Sequence, residues 1–358
     1  MYDQIVPLTK KLISCASVAE DKKALRDVLE ICAQELSEFT VEWFENNGIP
    51  SLLAYVGEKR PENFHVILNA HVDVVPADTK QFTASENDGK LYGRGASDMK
   101  AAAACELLVF KELAKTLSYP LGLQLVTDEE IGGHNGTKYQ IEQGVRADFV
   151  IAGEPTNFRI GNQAKGILWV RLTTQGISAH AAYPWNGKNA IVNMTQLLSK
   201  ILQTYPIPES EAWKTTINIS KIETSNTAMN KVPDSCSAYL DIRYIPEEKE
   251  QVLEDLNKLC EGNATLEITF NEPSHDGVEN DPFVKSLKEV TDVETGIDNA
   301  IIKRHGGSDL RHFSAAGCPG VEFGPIGDGL HTDNEWVNVS SLSTYYSILK
   351  KFLQNQSS

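Results

Sequence analysis

The first part of the chain alternates between segments with helical and with strand-like hydrophobic patterns. Apolar residues recur every three or four positions over residues 24–39, which predicts an amphipathic helix. Residues 64–75 are rich in β-branched side chains, which is typical of a strand buried on both faces. The same reasoning predicts an alanine-rich helix over 99–117 and buried strands over 121–127 and 147–152. This alternation predicts a sheet between layers of helices, and thus an α/β fold.

A different pattern runs from residue 166 to residue 272. It predicts strand, helix, strand, strand, helix and strand, which is the order of a ferredoxin-like α+β module. The predicted elements are 167–174, 189–205, 214–223, 237–244, 247–260 and 264–270.

The alternation of helices and strands returns after this module. Helices are predicted over 283–294 and 308–316, and strands over 300–304 and 320–323. The sequence therefore predicts a larger domain that is interrupted by a smaller one. The three predicted segments are 1–165 for the first part of the larger domain, 166–272 for the inserted domain and 273–358 for the second part.

Composition and charge narrow the functional classes. The 358 residues are 41% hydrophobic and 23% charged, as in a soluble globular protein. With 33 basic and 49 acidic residues, the net charge of −16 disfavours nucleic acid and anionic lipid as partners. The longest apolar run, 101–110, is too short to span a membrane, and Asp3 stands where a signal peptide would be basic. We therefore expect a cytoplasmic protein that binds neither membranes nor nucleic acid.

The cysteines carry no motif. The sequence has six of them and no Cys-x-x-Cys pair. Because the expected compartment is reducing and a chain of this length needs no covalent staple, we expect buried free thiols.

Polar residues occupy the carboxyl ends of successive predicted strands, where α/β sheets build their sites. They lie in the segments Asn69-Ala-His-Val-Asp-Val-Val-Pro76, Gly93-Arg-Gly-Ala-Ser-Asp-Met-Lys100, Thr127-Asp-Glu-Glu-Ile-Gly-Gly133 and Gly153-Glu-Pro-Thr156, and in a late loop, Gly329-Leu-His-Thr-Asp-Asn-Glu335. The residues concerned are His71, Asp73, Asp98, Glu129, Glu130, Glu154 and His331.

Imidazole nitrogens and carboxylate oxygens without cysteine suit Zn²⁺, Co²⁺ or Mn²⁺. Taken singly, a histidine at a strand end is often structural and a carboxylate is often solvated. Crowded carboxylates, however, repel one another unless a cation lies between them. Five such ligands exceed what one catalytic ion with an open position requires, so the sequence predicts two ions that share a carboxylate.

These motifs give the chain a clear resemblance to a known family. His-x-Asp, Gly-Arg-Gly-x-x-Asp-Met-Lys, Glu-Glu, Gly-Glu-Pro-Thr and the late histidine occur in the order of the dinuclear-zinc aminoacylase and carboxypeptidase family. That family includes acetylornithine deacetylase, succinyl-diaminopimelate desuccinylase and glutamate carboxypeptidases. The resemblance covers nearly the whole chain. It implies a zinc-peptidase-like mixed sheet between helices, with an inserted ferredoxin-like domain that serves as lid and dimerisation face.

The resemblance also implies a division of the metal ligands. His71, Asp98 and Glu154 would hold one zinc ion, and Asp98, Glu130 and His331 would hold the other, so that Asp98 bridges the two ions. The peptide bond after Asp98 is expected to be cis in this family. Cobalt and manganese remain alternatives to zinc.

Two neighbours of these ligands are candidates for supporting roles. Glu129 is adjacent to the ligand Glu130 but free of the metal, so it is predicted to act as the general base that takes a proton from water and passes it to the departing amine. Asp73 lies two residues after His71, on the same side of an extended strand, and is predicted to orient that imidazole. A carboxylate that only stabilises a turn is the alternative for Asp73.

The last candidates would bind the substrate. His180 resembles a family histidine that stabilises the oxyanion, commonly from the partner subunit, although it could be an ordinary surface histidine. Arg243 and Asn230 resemble the family's anchors for a substrate carboxylate, although either could be structural. Gly306 and Gly307 precede a predicted helix and could hold an anionic group, or form an ordinary turn.

The predicted function is therefore zinc-dependent hydrolysis of the amide bond of a small, carboxylate-bearing N-acyl amino acid by a homodimer. The closest branch is that of the deacetylases and desuccinylases. A dipeptidase, tripeptidase or carboxypeptidase on the same dinuclear centre is the alternative enzyme, and a catalytically silent carboxylate-binding protein is the alternative of another class. A dinucleotide-binding fold is disfavoured because Gly93-Arg-Gly95 lacks the third glycine of that motif. A serine esterase is disfavoured because the sequence has no Gly-x-Ser-x-Gly.

Overall fold

The computed structural model describes residues 2–278 and 280–356. In chain order its α-helices are α1 (Tyr2–Ile13), α2 (Lys22–Glu35), α3 (Ala101–Leu113), α4 (Thr137–Glu142), α5 (Ala190–Thr204), α6 (Lys249–Cys260), α7 (Pro282–Thr295), α8 (Leu310–Ala315) and α9 (Val339–Asn355). None of the helices in the described part of the chain is long and apolar enough to cross a membrane.

The strands define three sheets. In chain order they are β1 (Thr40–Asn46), β2 (Ile49–Tyr55), β3 (Phe64–His71), β4 (Ser85–Asn87), β5 (Lys90–Tyr92), β6 (Leu121–Val126), β7 (Ala147–Ala152), β8 (Ile160–Ala164), β9 (Gly166–Gln175), β10 (Thr216–Glu223), β11 (Ser235–Tyr244), β12 (Thr265–Glu272), β13 (His275–Asp276), β14 (Ile301–Arg304), β15 (Gly320–Glu322), β16 (Gly327–Asp328) and β17 (Trp336–Asn338).

The chain divides into two compact units. The first comprises the chain up to Gln163, the segment Asp276–Arg304 and the chain from Ser308 onward. The second comprises Ala164–His275 and the short segment His305–Gly307.

The first unit is built on a mixed sheet. Its strand order is β1-β2-β6-β3-β7-β15-β8-β13, with β14 paired to β8. Strands β6, β3, β7 and β15 run parallel to one another, whereas β1 and β2 form an antiparallel hairpin that continues the sheet at β6. The parallel strands are the predicted strands 64–75, 121–127, 147–152 and 320–323. The third has the predicted bounds, and the others end one to four residues earlier than predicted.

Apolar side chains on both faces of this sheet are covered by helices. Leu52 and Leu68 belong to a core that includes residues of α1, α2, α3, α7 and α9. Leu53 and Ile67, each adjacent in sequence to one of these, belong to a second core with residues of α4 and α8. Because successive side chains of a strand point to opposite faces, the sheet lies between two helical layers. The predicted α/β class is confirmed.

The second unit has the predicted ferredoxin-like order. Its elements follow as β9, α5, β10, β11, α6 and β12, and the antiparallel sheet has the strand order β10-β11-β9-β12. Residues of β11 alternate between buried and half-buried along its whole length. The buried face packs with Met194 and Leu197 of α5 and with Val252 and Leu256 of α6.

Several elements of the first unit were missed by sequence reasoning. They are α1, the β1–β2 hairpin, α9 and the short strands β4, β5, β8, β13, β16 and β17. The hairpin turns at Asn47 and Gly48, whose φ values of 51° and 73° are those of the Asn-Gly turns that join antiparallel strands tightly. Helix α9 packs on α3 and α7, and it completes the layer over the core that contains Leu68.

The cysteines are free, as expected. Cys32, Cys105, Cys236, Cys260 and Cys318 are buried, and Cys15 is half-buried.

Candidate active site

The parallel strands bring the predicted ligands to one edge of the first unit's sheet. His71 is the last residue of β3, and Glu154 follows the end of β7 by two residues. Glu129 and Glu130 form a short 3-10 turn (Glu129–Ile131) after β6. Because β6, β3 and β7 are neighbours that run parallel, their carboxyl ends meet at this edge.

Asp98 and His331 lie on segments next to the strands of a second, smaller sheet of the same unit. This sheet has the strand order β16-β17-β5-β4. Asp98 lies between β5 and α3, in a non-helical turn with φ −119° and ψ 93°, and its peptide bond to the following methionine is cis, as the resemblance implies. His331 lies in the loop between β16 and β17 and has a φ of 61°.

The Asp98 carboxylate lies between the two imidazoles. One oxygen, Oδ1, is 3.1 Å from Nε2 of His71, and the other, Oδ2, is 3.3 Å from Nε2 of His331. Nε2 of His331 is also 3.2 Å from Oε2 of Glu130. This is the placement expected of a carboxylate that offers one oxygen to each of two ions.

Two groups of potential ligand atoms overlap at His71. Atoms of His71, Asp98 and Glu130 lie within 4.8 Å of one another, and so do atoms of His71, Glu129 and Glu154. The structure therefore brings together all five predicted ligands and the predicted base. The predicted base Glu129 thus lies beside two of the predicted ligands, His71 and Glu154.

Burial and mutual repulsion shift the pKa values of the carboxylates. Burial raises the pKa of Glu129 well above its usual value, and the charge of Glu154 raises it further. Burial likewise raises the pKa of Glu154, with the Asp98 charge as the next cause. The pKa of Glu130 is raised for the same first reason. These carboxylates are unfavourable as anions without positive charge between them.

The pKa values of the two imidazoles are also raised, whereas the pKa of Asp98 is lowered. Burial alone would lower the pKa of His71, but hydrogen bonds with Asp73 and Asp98 raise it well above its usual value. The hydrogen bond with Asp98 raises the pKa of His331. Burial opposes ionisation of Asp98, yet hydrogen bonds with both imidazoles hold its pKa below the usual range. The cluster favours positive charge at its centre, and its nitrogen and oxygen donors fit divalent cations.

Asp73 contacts two of the predicted ligands, His71 and Glu130. It is fully buried, and its Oδ2 accepts a hydrogen bond from the backbone N–H of Glu130 at 3.1 Å. Nδ1 of His71 lies 3.1 Å from the Asp73 backbone oxygen and 3.5 Å from its Oδ1. The imidazole is thus held by the main chain of Asp73 more closely than by its carboxylate.

Two further buried side chains were missed by sequence reasoning. Nη1 of Arg311, at the start of α8, lies 3.9 Å from Oε1 of Glu129 and donates to the backbone oxygen of Ser308. Glu335 accepts hydrogen bonds from the backbone of the loop that carries Asp98. The only sequence signal for Glu335 was its place at the end of the late histidine segment.

The predicted substrate-binding residues lie in the second unit. Nε and Nη2 of Arg243 are 2.8 and 3.1 Å from the two carboxylate oxygens of Asp241, so this guanidinium has a partner within its own strand. His180 is exposed, and its Nδ1 accepts the backbone N–H of Ala182 at 3.1 Å. Asn230 and Gly306 are exposed and Gly307 is half-buried. The roles of these residues stay predictions.

The carboxylate pKa values predict how the stability of the metal-free protein depends on pH. Because the pKa values of Glu129, Glu130 and Glu154 are raised on folding, the folded chain binds more protons than the unfolded chain above about pH 4.3. The free energy of unfolding should then fall as pH rises. The raised imidazole pKa values act in the same direction, and the lowered pKa of Asp98 acts only at more acid pH.

Urea denaturation in the presence of a chelator, from pH 5 to pH 8, measures this effect. We expect a loss on the order of 2 kcal/mol across that range. Excess Zn²⁺ should restore stability most strongly at pH 8, since binding of the ions competes with protons. A free energy of unfolding that rises with pH in the chelated protein would contradict the expectation.

Comparison with known proteins identifies the family. Residues 67–355 match Peptidase family M20/M25/M40. Succinyl-diaminopimelate desuccinylase from Beijerinckia indica is 31% identical over an alignment of 387 positions, which covers 99% of each chain. The crystal structure of aminopeptidase PepT from Bacillus cereus superposes with a TM-score of 0.81 at 20% identity, over 99% of this chain and 98% of that one.

A dinuclear metal-binding peptidase of the M20 family from Bacillus subtilis is also similar in fold, with a TM-score of 0.70 and 17% identity over 99% of this chain and 98% of that one. The resemblance seen in the sequence motifs is therefore confirmed. This chain belongs to peptidase family M20/M25/M40 and is a metal-dependent hydrolase of amide bonds.

Proposed function

We propose that this protein hydrolyses the amide bond of a small N-acyl amino acid, as a desuccinylase or deacetylase of amino-acid biosynthesis. The observation that carries the proposal is the Asp98 carboxylate, which offers one oxygen to each of two imidazoles at the sheet edge. The choice of substrate class is supported by the 31% identity to a desuccinylase along the whole chain. A cytoplasmic location is part of the proposal.

The metal ligands are divided as the family resemblance implies. His71, Asp98 and Glu154 would hold one ion, and Asp98, Glu130 and His331 would hold the other. Zinc is the proposed metal, and the same donors also suit cobalt or manganese. A pair of such ions, when bound, supplies Lewis acidity that polarises the substrate carbonyl and makes a water molecule acidic enough to act as a nucleophile near neutral pH.

Glu129 carries the proton in this scheme. Its carboxylate removes one proton from the attacking water as the new C–O bond forms at the carbonyl carbon. It then donates that proton to the amide nitrogen as the C–N bond breaks, so that a free amine and a carboxylic acid leave. Arg311, 3.9 Å away, gives the Glu129 carboxylate a cationic neighbour that favours its ionised form.

The second unit supplies the remaining groups. In the proposal it is the lid and the dimer face, and His180 donates a hydrogen bond to the developing oxyanion, from the partner subunit of a homodimer. Arg243, Asn230, Gly306 and Gly307 bind the substrate carboxylate. Asp241 then acts as the resident partner that orients the Arg243 fork until a substrate carboxylate competes for it.

Hydrolysis of short peptides is the second candidate function. The observation that favours it is the close structural similarity to aminopeptidase PepT, with a TM-score of 0.81. The same dinuclear arrangement suits a peptide bond as well as an N-acyl bond, so the substrate and not the metal centre separates the two candidates.

A substrate panel with metal-loaded protein distinguishes them. We expect kcat/KM for N-succinyl or N-acetyl amino acids to exceed that for dipeptides and tripeptides by about tenfold or more, because a pocket built for one acyl group leaves polar groups unpaired with the other substrate. The free amine released is measured with each compound. Faster release from peptides would replace the proposal with the peptidase function.

Replacement of Glu129 tests the proton step. Glu129→Gln keeps the size of the side chain but removes the base, so we expect kcat to fall by about 10²- to 10⁴-fold. Metal content, measured by elemental analysis, should stay at two ions per chain. Glu130→Gln is the matched control next to it, and it should lose metal as well as activity. Normal turnover of Glu129→Gln would remove this residue from the mechanism.

Mixing of inactive variants tests the role of His180 across a dimer. His180→Ala and Glu129→Gln protomers, once exchanged, form hybrids in which one site has both groups intact, and random exchange should recover roughly a quarter of the wild-type activity. A mixture of Glu129→Gln and Asp98→Asn is the control. It should stay inactive because each of the two sites in a hybrid dimer then carries one of the two changes. With exchange verified, no recovery in the first mixture would contradict a histidine acting from the partner subunit.

A further inference from the structure

Glu335 is a buried carboxylate with four hydrogen-bond donors. It is 1% exposed. Its Oε2 accepts from Nη1 of Arg94 at 2.6 Å and from the backbone N–H of Gly95 at 3.0 Å. Its Oε1 accepts from the backbone N–H groups of Ser97 and Asp98, at 2.9 and 3.0 Å. Both oxygens of the carboxylate are thus occupied by one short loop.

That loop carries Asp98, the proposed bridging ligand. Glu335 itself belongs to the loop that carries His331, another proposed ligand. His331 lies four residues before Glu335, between β16 and β17. The backbone oxygen of Glu335 also accepts the N–H of Gly93, at 3.2 Å, and the next residue, Trp336, pairs with Tyr92 of β5. One residue therefore ties the His331 loop to the Asp98 loop through both its side chain and its main chain.

The segment Ala96–Lys100 forms one short π-helical turn before α3, and Asp98 and Met99 within it have non-helical dihedral angles. The N–H groups of Ser97 and Asp98 donate to the Glu335 side chain. Gly95 has a φ of 81°, and a Cβ there would come within 2.8 Å of Val74. Hydrogen bonds from N–H groups to an ionised carboxylate are about twice as strong as those to a neutral acceptor.

The charge of Glu335 is balanced where it stands. Arg94 is 3% exposed and donates to the carboxylate, and Lys100, fully buried, lies close enough for its charge to interact with Glu335 and Asp73. A carboxylate placed this near the ligand cluster would otherwise add to the repulsion among the ligands. The arrangement supplies acceptors to the loop without adding net negative charge to the site.

We propose that Glu335 is a positioning residue that holds the backbone of Asp98 and the His331 loop in the geometry needed to bind a pair of divalent cations. The inference rests on the proposed function. Glu335 contacts neither ions nor substrate in this proposal, and it acts only through Asp98 and His331.

Replacement of Glu335 by glutamine separates this role from simple stability. The amide keeps the shape but has one acceptor oxygen in place of two, and its N–H₂ group faces donors. Calorimetric titration of metal-free protein with Zn²⁺ should give two bound ions for the wild type. For Glu335→Gln we expect affinity for at least one ion to fall about 10- to 100-fold, the range found when groups that orient metal ligands are removed. At saturating metal, kcat should fall while KM stays within about twofold.

Control variants make the outcome decisive. Glu42 lies on the edge strand β1 and forms a 2.9 Å ion pair with Arg60. Glu42→Gln removes that ion pair and should bind both ions as the wild type does. Glu335→Asp keeps the charge on a shorter side chain and should bind metal with an affinity between those of Glu335→Gln and the wild type. Circular dichroism and the melting temperature of the metal-free variants report the fold.

Each result bears on a separate claim. Wild-type affinity for both ions in a folded Glu335→Gln overturns the positioning role, and so does failure of both Glu335 variants to fold, since Glu335 would then serve the fold as a whole. If Glu335→Gln alone is unfolded, the same criterion applies to Glu335→Asp. A wild type that binds no ion overturns the proposed function and not only this inference.

Discussion

The repulsion among buried carboxylates is the constraint on which the rest of the site depends. Glu129, Glu130 and Glu154 come together at one sheet edge, and burial with neighbouring negative charge raises their pKa values. Such a cluster costs stability unless positive charge lies within it. In the metal-free chain the imidazoles of His71 and His331, together with Arg311 and Arg304, supply part of that charge. The fold thus accepts a local cost that bound cations offset, and this is the physical basis for assigning the edge to metal chemistry.

The architecture explains how side chains from distant parts of the sequence reach this cluster. Parallel strands β6, β3 and β7 end at the same edge, so residues that follow each strand meet there without long loops. The small sheet β16-β17-β5-β4 carries the segments with the other two predicted ligands, Asp98 and His331. Irregular loops position a ligand only if other groups satisfy their backbone, which is the role that the contacts of Glu335 suggest for it.

Much of the fold and of the candidate site could be predicted from the sequence. Buried parallel strands read as continuous apolar runs, so the positions of His71 and Glu154 followed directly. The partners of Glu335 could not be predicted, because three of its donors are backbone N–H groups that leave no trace in residue type. The pairing of Arg243 with Asp241 was available in principle, since residues two apart share one face of a strand. Helix α3 begins two residues later than the alanine pattern predicts because Asp98 and Met99 adopt non-helical angles.

The central claim is that Asp98 lies between two metal ions. The most direct test is anomalous diffraction at the zinc absorption edge from crystals of the metal-loaded protein. Two anomalous peaks, about 3.5–4 Å apart and on either side of the Asp98 carboxylate, are the predicted result. Crystals grown with excess zinc that show no peak at this edge, or a single peak away from Asp98, would contradict the account.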